Sequence, residues 1–286
     1  FAWLLLVPNE LKDFGQSIVS VSIFSSNILF WTEAGYFDAA AELKPLLHTW
    51  SLAVEEQYYL LFPIFLMLTW RLGVKWIIFL LSIVFFSSLG LAEWASNQIT
   101  QPKIISAAYF LLPTRGWELL VGVFVAFYLK SNTFFNSKMF NQMMSLIGIV
   151  MISYSVIAFD KNTPFPSLYT LVPVIGTALL ILCSVQKTLV YNFLTLKPIV
   201  GLGLISYSAY LWHQPLFAFM RSSVLGDLSE FILISLCAVS IMLAWFSYRF
   251  IETPFRDRSV TPSNIMVTSL IGGTIVFTSL GLLFHF

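Results

Sequence analysis

The chain has 286 residues, 58% of them apolar and only 10% charged, with a formal net charge of +1 and a mean hydropathy of +0.85. A soluble domain carries about a quarter charged residues, so a surface kept wet by charge is excluded. The composition describes an integral membrane protein.

A spanning helix needs about 20 mostly apolar residues, and the chain is read against that length. "FAWLLLVP" (1–8) has the character of the tail of a hydrophobic helix. It lacks a basic leader and a small-residue cleavage site, so it is not a signal peptide. With no initiator Met, the chain reads as a fragment whose N-terminus lies ahead of Phe1. The run 14–31, "FGQSIVSVSIFSSNILFW", is long enough to span but carries Gln16, Asn27 and five serines. It reads as a helix lying in the interface or re-entering the membrane. Eight further runs qualify as spans: 49–70, 76–95, 106–129, 141–159, 168–185, 199–220, 231–249 and 264–285. The fold class is therefore an all-α polytopic helix bundle, with eight complete spanning helices and one partial one. Cys183 and Cys237 each sit in an apolar run and read as packing groups. No Cys/His cluster has metal spacing, and no metal or bound cofactor is expected.

Loop charge sets the orientation. With 14–31 not spanning, Arg71, Lys75, Lys130, Lys138, Lys187, Lys197, Arg249, Arg256 and Arg258 share one side, together with only two acids, Glu252 and Asp257. The positive-inside rule makes that side cytoplasmic. The loops "NELKDFG", "YFDAAAELKPLLH", "AFDKNTPFP" and "SSVLGDLSE" then face outward.

Four stretches hold polar residues that hydrocarbon excludes, and such residues mark functional sites by default. In "HTWSLAVEEQYYLLFP", the spacing of His48, Ser51 and Glu55 puts them on one helical stripe. Glu56 lies about 100° round, and Trp50 lines another face. Two carboxylates in a first helical turn also suit the dipole, so an interfacial cap and a site both remain open. In "YFLLPTRGWELLVG", Arg115 and Glu118 stand three apart, the spacing of an ion pair. An internal pair and a contact from Arg115 to substrate, or to Glu55 or Glu56, are both open. In "SYSAYLWHQPL", His213 precedes Pro215 by two and marks a turn or kink. "FSYRFIETPFRDR" ends a helix with Arg249, Glu252, Arg256 and Arg258, either a solvated basic end or a dock for an anionic donor. There is no G-x-S-x-G elbow and no phosphate loop.

Taken in order, "LKPLLHTWSLAVEEQYYLLFP", "YFLLPTRGWELLVG", "ISYSAYLWHQPL" and "SYRFIETPFR" resemble the acyltransferase 3 family of bacterial inner-membrane proteins, nearest to its O-antigen acetylase branch. The resemblance covers residues 1 to about 257. It implies a ten-helix membrane domain over 1–257. Residues 264–286 are then an additional transmembrane helix, which in the branch resembled leads to an extracytoplasmic SGNH-type domain. It implies O-acylation, in most members O-acetylation, of an extracytoplasmic glycan such as lipopolysaccharide O-antigen. Acyl-CoA, acetyl-CoA in that case, is the cytosolic donor. Partners are then the donor, the glycan and the bilayer, with no nucleic acid.

In the family a catalytic histidine lies in the first helix, and donor-binding arginines follow the second. Both positions fall ahead of Phe1, so neither His48 nor His213 is assigned that role. Glu55 is expected to support the chemistry, with Glu56 in reserve. Ser51, Trp50, Arg115, Glu118 and His213 are expected to bind substrate. A transporter or flippase of a lipid-linked sugar is the competing class, and a purely structural or sensory membrane protein is the third.

Overall fold

The computed structural model describes residues 2–34, 43–98, 100–131, 137–160, 163–224 and 228–285. Asp38, Glu42, Lys161 and Asp227, which enter the loop-charge reading, lie outside the described residues. Among those described there is no β-strand, and the chain is built of helices α1 to α14. They form two compact units, residues 1–53 with 200–286, and residues 54–199.

The first unit holds α1 (Ala2–Leu5), α2 (Pro8–Ser22) and α3 (Ser26–Glu33). It also holds the start of α4 (Trp50–Thr69), most of α11 (Lys197–Ser223), α12 (Glu230–Ser247), α13 (Thr253–Arg256) and α14 (Ser263–His285). The run 14–31 is not one helix. Phe24 takes φ 55°, in the left-handed region, and separates α2 from α3. With 15 and 8 residues, neither is long enough to span. α2 instead lies along α14, and a Cβ placed on Gly281 would stand 2.7 Å from the carbonyl oxygen of Gly15. Only small residues allow backbones this close, the usual means of packing helices in a membrane.

The second unit contains the rest of α4, α5 (Val74–Ser96), α6 (Pro102–Phe110), α7 (Leu112–Lys130), α8 (Lys138–Ala158), α9 (Leu171–Cys183) and α10 (Leu189–Leu194). Its core has two parts. Ile77, Leu81 and Leu120 are packed by Tyr58, Phe62, Phe65 and Phe124, and Leu89, Ala92 and Trp117 are packed by Phe85, Val121 and Leu171. Trp117 is fully buried, and Phe85 meets it edge-on at 6.1 Å between ring centres, a favoured aromatic geometry. The α8–α9 pair closes through Gly148 and Gly176.

Among the described residues, six segments are long and apolar enough to cross a membrane: Leu47–Leu72, Val74–Ser96, Pro102–Lys130, Lys138–Ala158, Glu230–Arg256 and Ser263–Phe284. The chain is a multi-pass membrane protein. Three of the expected runs differ in detail. The run 168–185 yields a 13-residue helix after a short 3₁₀ turn, which is too brief by this measure. The run 199–220 lies in a 27-residue helix of ample length, but Ser206, Ser208, His213 and Gln214 dilute its apolar character. The run 106–129 is interrupted at Leu111, whose extended backbone separates α6 from α7 just ahead of Pro113.

At the interruption the Thr114 hydroxyl donates to the Ala108 carbonyl at 2.8 Å, and the start of α7 is also tied to a neighbouring helix. The Ser88 hydroxyl on α5 donates to the Pro113 carbonyl at 2.6 Å and accepts the Trp117 amide at 3.2 Å. Those are the two groups that a regular helical turn would pair.

Candidate functional site

In the first unit the polar residues converge on the segment just ahead of α4. His48 occupies a 3₁₀ turn, Leu47–Thr49, that feeds directly into the helix. This segment is tied down from two directions. From α3, Ser26 donates to the Thr49 carbonyl at 3.0 Å, and Glu33 forms an ion pair with Lys44. From α11, Gln214 donates to the Lys44 carbonyl at 3.2 Å, and the Tyr210 hydroxyl donates to the His48 carbonyl.

Tyr210 is the hinge of the cluster. A phenol has one proton, and here it is committed to the His48 carbonyl. The Ser51 hydroxyl, 2.6 Å from the Tyr210 oxygen, therefore donates to it. One turn along α11, His213 places Nδ1 2.7 Å from the Tyr210 carbonyl oxygen. The rings of His48, Tyr210 and His213 then meet one another at centroid distances of 5.0 to 5.5 Å. Of the turn or kink expected at His213, the helix-ending turn is absent, because Pro215 lies inside α11. Membrane helices tolerate an internal proline when neighbouring groups satisfy the freed backbone. His213 consequently projects from a continuous helix, on the same face as Tyr210.

The sequence puts His48 and Ser51 on one stripe and His213 in a separate stretch, and Tyr210 was not among the expected site residues. One signal was present. In "SYSAYLWHQ", Tyr210 precedes His213 by three, which is same-face spacing on a helix.

The same unit carries the fourth motif. A π-helical turn, Tyr248–Glu252, continues α12, and π turns are often found at functional sites. It brings the Glu252 carboxylate to Ser208 at 3.2 Å and to Arg256 at 3.1 Å. Arg249 and Arg258 remain exposed. The next turn is closed by Asp257, whose carboxylate accepts both the hydroxyl and the amide of Ser259 and is held below the usual range by those bonds.

In the second unit Glu55 is half-buried and Glu56 exposed. Within this unit, among the described residues, neither carboxylate has a hydrogen-bond or ion-pair partner. Arg115 and Glu118 bond to each other at 3.0 Å, the internal ion pair that their spacing allowed. The guanidinium also lies over the Phe165 ring at 4.6 Å and near Tyr109 at 6.0 Å, a cation–π arrangement. Glu118 borders an apolar cavity of about 280 Å³ shared with Val125, Val174, Thr177 and Ile181. Trp50, at the first position of α4 and in the other unit, is partly buried.

Comparison with known proteins decides the family. The model of acyltransferase family 3, described as an acyltransferase domain, matches residues 11–249. The chain belongs to this acyltransferase family. The match includes the Trp50–Glu56 motif, the Arg115–Glu118 pair and the Tyr210–His213 turn, and it stops short of α14.

Among the relatives of this family member is the O-acetyltransferase OatA of Staphylococcus aureus. It is 32% identical over 268 residues, which is 89% of this chain and 43% of that protein. The peptidoglycan O-acetyltransferase OatA of Listeria monocytogenes is 30% identical over 263 residues, 87% of this chain and 41% of the relative. An uncharacterized protein of Haemophilus influenzae is 32% identical over 193 residues, 65% of this chain and 77% of that one. The chain thus spans less than half the length of the two O-acetyltransferases. No solved structure matches it.

Proposed function

We propose that the chain is the membrane domain of an O-acyltransferase that moves an acyl group, most simply acetyl, from a cytosolic acyl-CoA to a hydroxyl of a cell-envelope glycan. The family membership and the names of the two O-acetyltransferase relatives support the reaction class. The observation that carries the reading is the polar cluster of His48, Ser51, Tyr210 and His213, built into helices that are otherwise apolar. Polar groups gathered at membrane helices are costly unless chemistry or transport uses them.

In this reading the acceptor oxygen attacks the thioester carbonyl carbon, a base removes the hydroxyl proton, and the carbon–sulfur bond breaks. The donor enters from the side that carries Arg249, Arg256 and Arg258, where the exposed guanidinium groups suit its phosphates. Glu55, half-buried, is proposed as the carboxylate that supports charge developed on the base, and Glu56 as its exposed neighbour. Trp50, Arg115 and Glu118 are proposed to shape the substrate path. The acceptor is O-antigen if the resemblance to O-antigen acetylases extends to substrate, and peptidoglycan if it follows the Listeria relative. The location proposed is the bacterial inner membrane.

The test uses the intact protein in membrane vesicles supplied with radiolabelled acetyl-CoA and, separately, O-antigen oligosaccharide and peptidoglycan fragments. Label bound covalently to glycan and released by mild alkali is expected. Glycan that crosses the membrane without gaining an ester would replace this reading with transport.

A further inference from the structure

We propose that the cavity between α2 and the segment leading to His48 binds one uncharged hexose ring of the acceptor glycan, through Asn9 and Asp13. Its role as an acceptor site rests on the acyl-transfer reading above, while the binding of a sugar there does not.

The cavity lies wholly within the first unit and measures about 230 Å³. Asn9, Asp13 and Ser17 line it from α2, at the four-residue spacing of one helical face. Lys44 and Pro45 close the opposite wall. Pockets for drug-sized molecules run to about 300–1,000 Å³, so this one suits a single ring and not a longer oligosaccharide.

The fold does not account for the polar groups at this cavity. Acidic residues in a first helical turn serve the dipole, and Glu10 does so, its carboxylate accepting the Val7 amide at 3.2 Å. Asp13 lies beyond that turn. Its backbone carbonyl accepts the Ser17 hydroxyl at 2.9 Å. Its half-buried carboxylate has no hydrogen-bond or ion-pair partner among the described residues, and neither has the Asn9 amide. Lys44, across the cavity, is paired with Glu33 and does not neutralise Asp13.

These groups match a sugar. A carboxylate accepts two or more hydrogen bonds, and an amide both donates and accepts, as the neighbouring hydroxyls of a pyranose do. Bonds to the charged carboxylate are the stronger kind. Phe14 borders the same cavity and supplies an apolar wall. Its ring is held by Phe219 at 5.9 Å and by Phe284 at 6.5 Å between centres. The C–H face of a pyranose covers such a ring while its hydroxyls turn to Asn9 and Asp13. Charge sets the selectivity. Asp13, with Glu10 beside it, repels a sugar that carries its own carboxylate, and like charges brought together suppress the wrong partner.

The position fits an acceptor. The wall at Lys44 and Pro45 runs directly into the 3₁₀ turn that carries His48. Gln214, next to His213, donates to the Lys44 carbonyl at 3.2 Å. A ring in the cavity therefore rests on the same segment as the polar cluster of His48, Ser51 and Tyr210. Asn9 and Asp13 hold and position it, and no bond is made or broken there.

The experiment uses the intact protein in nanodiscs and two probes, an oligosaccharide of neutral hexoses and the same oligosaccharide oxidised at C6 to hexuronic acid. Binding is measured by calorimetry without an acyl donor. The neutral probe is expected to bind, and the hexuronic probe at least tenfold more weakly. Equal binding of the two, or no binding of the neutral probe, overturns the proposal. Asp13→Asn keeps the shape and removes the charge. It should weaken the neutral probe by about tenfold, the scale of one hydrogen bond to a charged group, and largely abolish the discrimination. Asn9→Ala should weaken both probes alike. Unchanged affinity in both variants overturns the site. In proteoliposomes with radiolabelled acetyl-CoA, Asp13→Asn should raise the KM for the neutral acceptor by a similar factor, with kcat and the KM for acetyl-CoA little altered. A fall in kcat alone overturns the acceptor role. Sugar binding that depends on Asp13, in a protein that transfers no acetyl group, keeps the site and sinks the acyl-transfer reading. If the variants fail to reach the membrane, the two-probe comparison on the unaltered protein decides.

Discussion

Gly148 and Gly176 face each other across α8 and α9 so closely that a Cβ on Gly148 would lie 2.7 Å from the Gly176 carbonyl oxygen. A Cβ on Gly176 would lie 2.9 Å from that of Gly148. The helices touch backbone to backbone, and the obstruction on each side is main chain that has no rotamer to adopt.

Gly148→Val is therefore expected to push the pair apart. Overpacking a close contact costs about 1–3 kcal/mol, which should lower the midpoint of thermal aggregation in detergent by several degrees. Gly90→Ala, on α5 with nothing within 4 Å of the added carbon, is the control and should not lower it. Equal behaviour of the two variants would mean that the α8–α9 contact is dispensable.

The Arg115–Glu118 pair, with side chains 13% and 20% exposed, should show the asymmetry of a buried ion pair. Removing one partner leaves an uncompensated charge and costs about 3 kcal/mol or more. Arg115→Ala should sharply reduce the amount of protein in the membrane. Arg115→Met combined with Glu118→Leu should recover much of the loss. Quantitative immunoblotting of membranes compares them. No recovery in the double variant would show that Arg115 is needed for more than this partner.

Ser51 and Tyr210 should behave as one unit. Each of Ser51→Ala and Tyr210→Phe is expected to slow glycan acylation by about tenfold, the equivalent of 1.36 kcal/mol. The double variant should be little worse than either, because residues in contact couple by about 0.5–3 kcal/mol. Additive losses would mean that the hydrogen bond between them has no part in the reaction.

Glu55 and Glu56 are now separable. Glu55→Gln should cut activity by roughly 10²-fold or more with membrane levels unchanged. Glu56→Gln, at an exposed position, should stay near the unaltered rate. If both are normal, the two carboxylates are a helix cap, whose loss costs only about 0.3–1 kcal/mol.

Orientation is open to direct test. Reporter tags after Lys130 and between Lys187 and Lys197 are expected in the cytoplasm, and one near Asp160 outside. An external signal from the 187–197 loop would invert the arrangement.

The apolar runs, and hence the helical class, could be read from composition because bilayer thickness imposes a length on them. The internal breaks could not. Pro113 was visible, but whether a proline interrupts a membrane helix depends on what satisfies the freed backbone, and here the Thr114 hydroxyl donates to the Ala108 carbonyl. At Pro215 a turn or a kink was open, and α11 runs on through it, so the helix-ending turn is absent. The four polar stretches were legible as exceptions in hydrocarbon. Their association was not, because Tyr210 reaches His48 across 162 residues of sequence and no periodicity links them. Phe24, whose φ of 55° splits the run 14–31, carries no glycine or asparagine to announce the bend.

The Ser88 hydroxyl bears on how the second unit is held together. It bonds both the Pro113 carbonyl and the Trp117 amide in the first turns of α7, and Arg115 lies between these two residues in the sequence. One side chain on α5 thus braces the stretch that carries the buried Arg115–Glu118 pair, so a change at position 88 is felt by an ion pair that it does not touch.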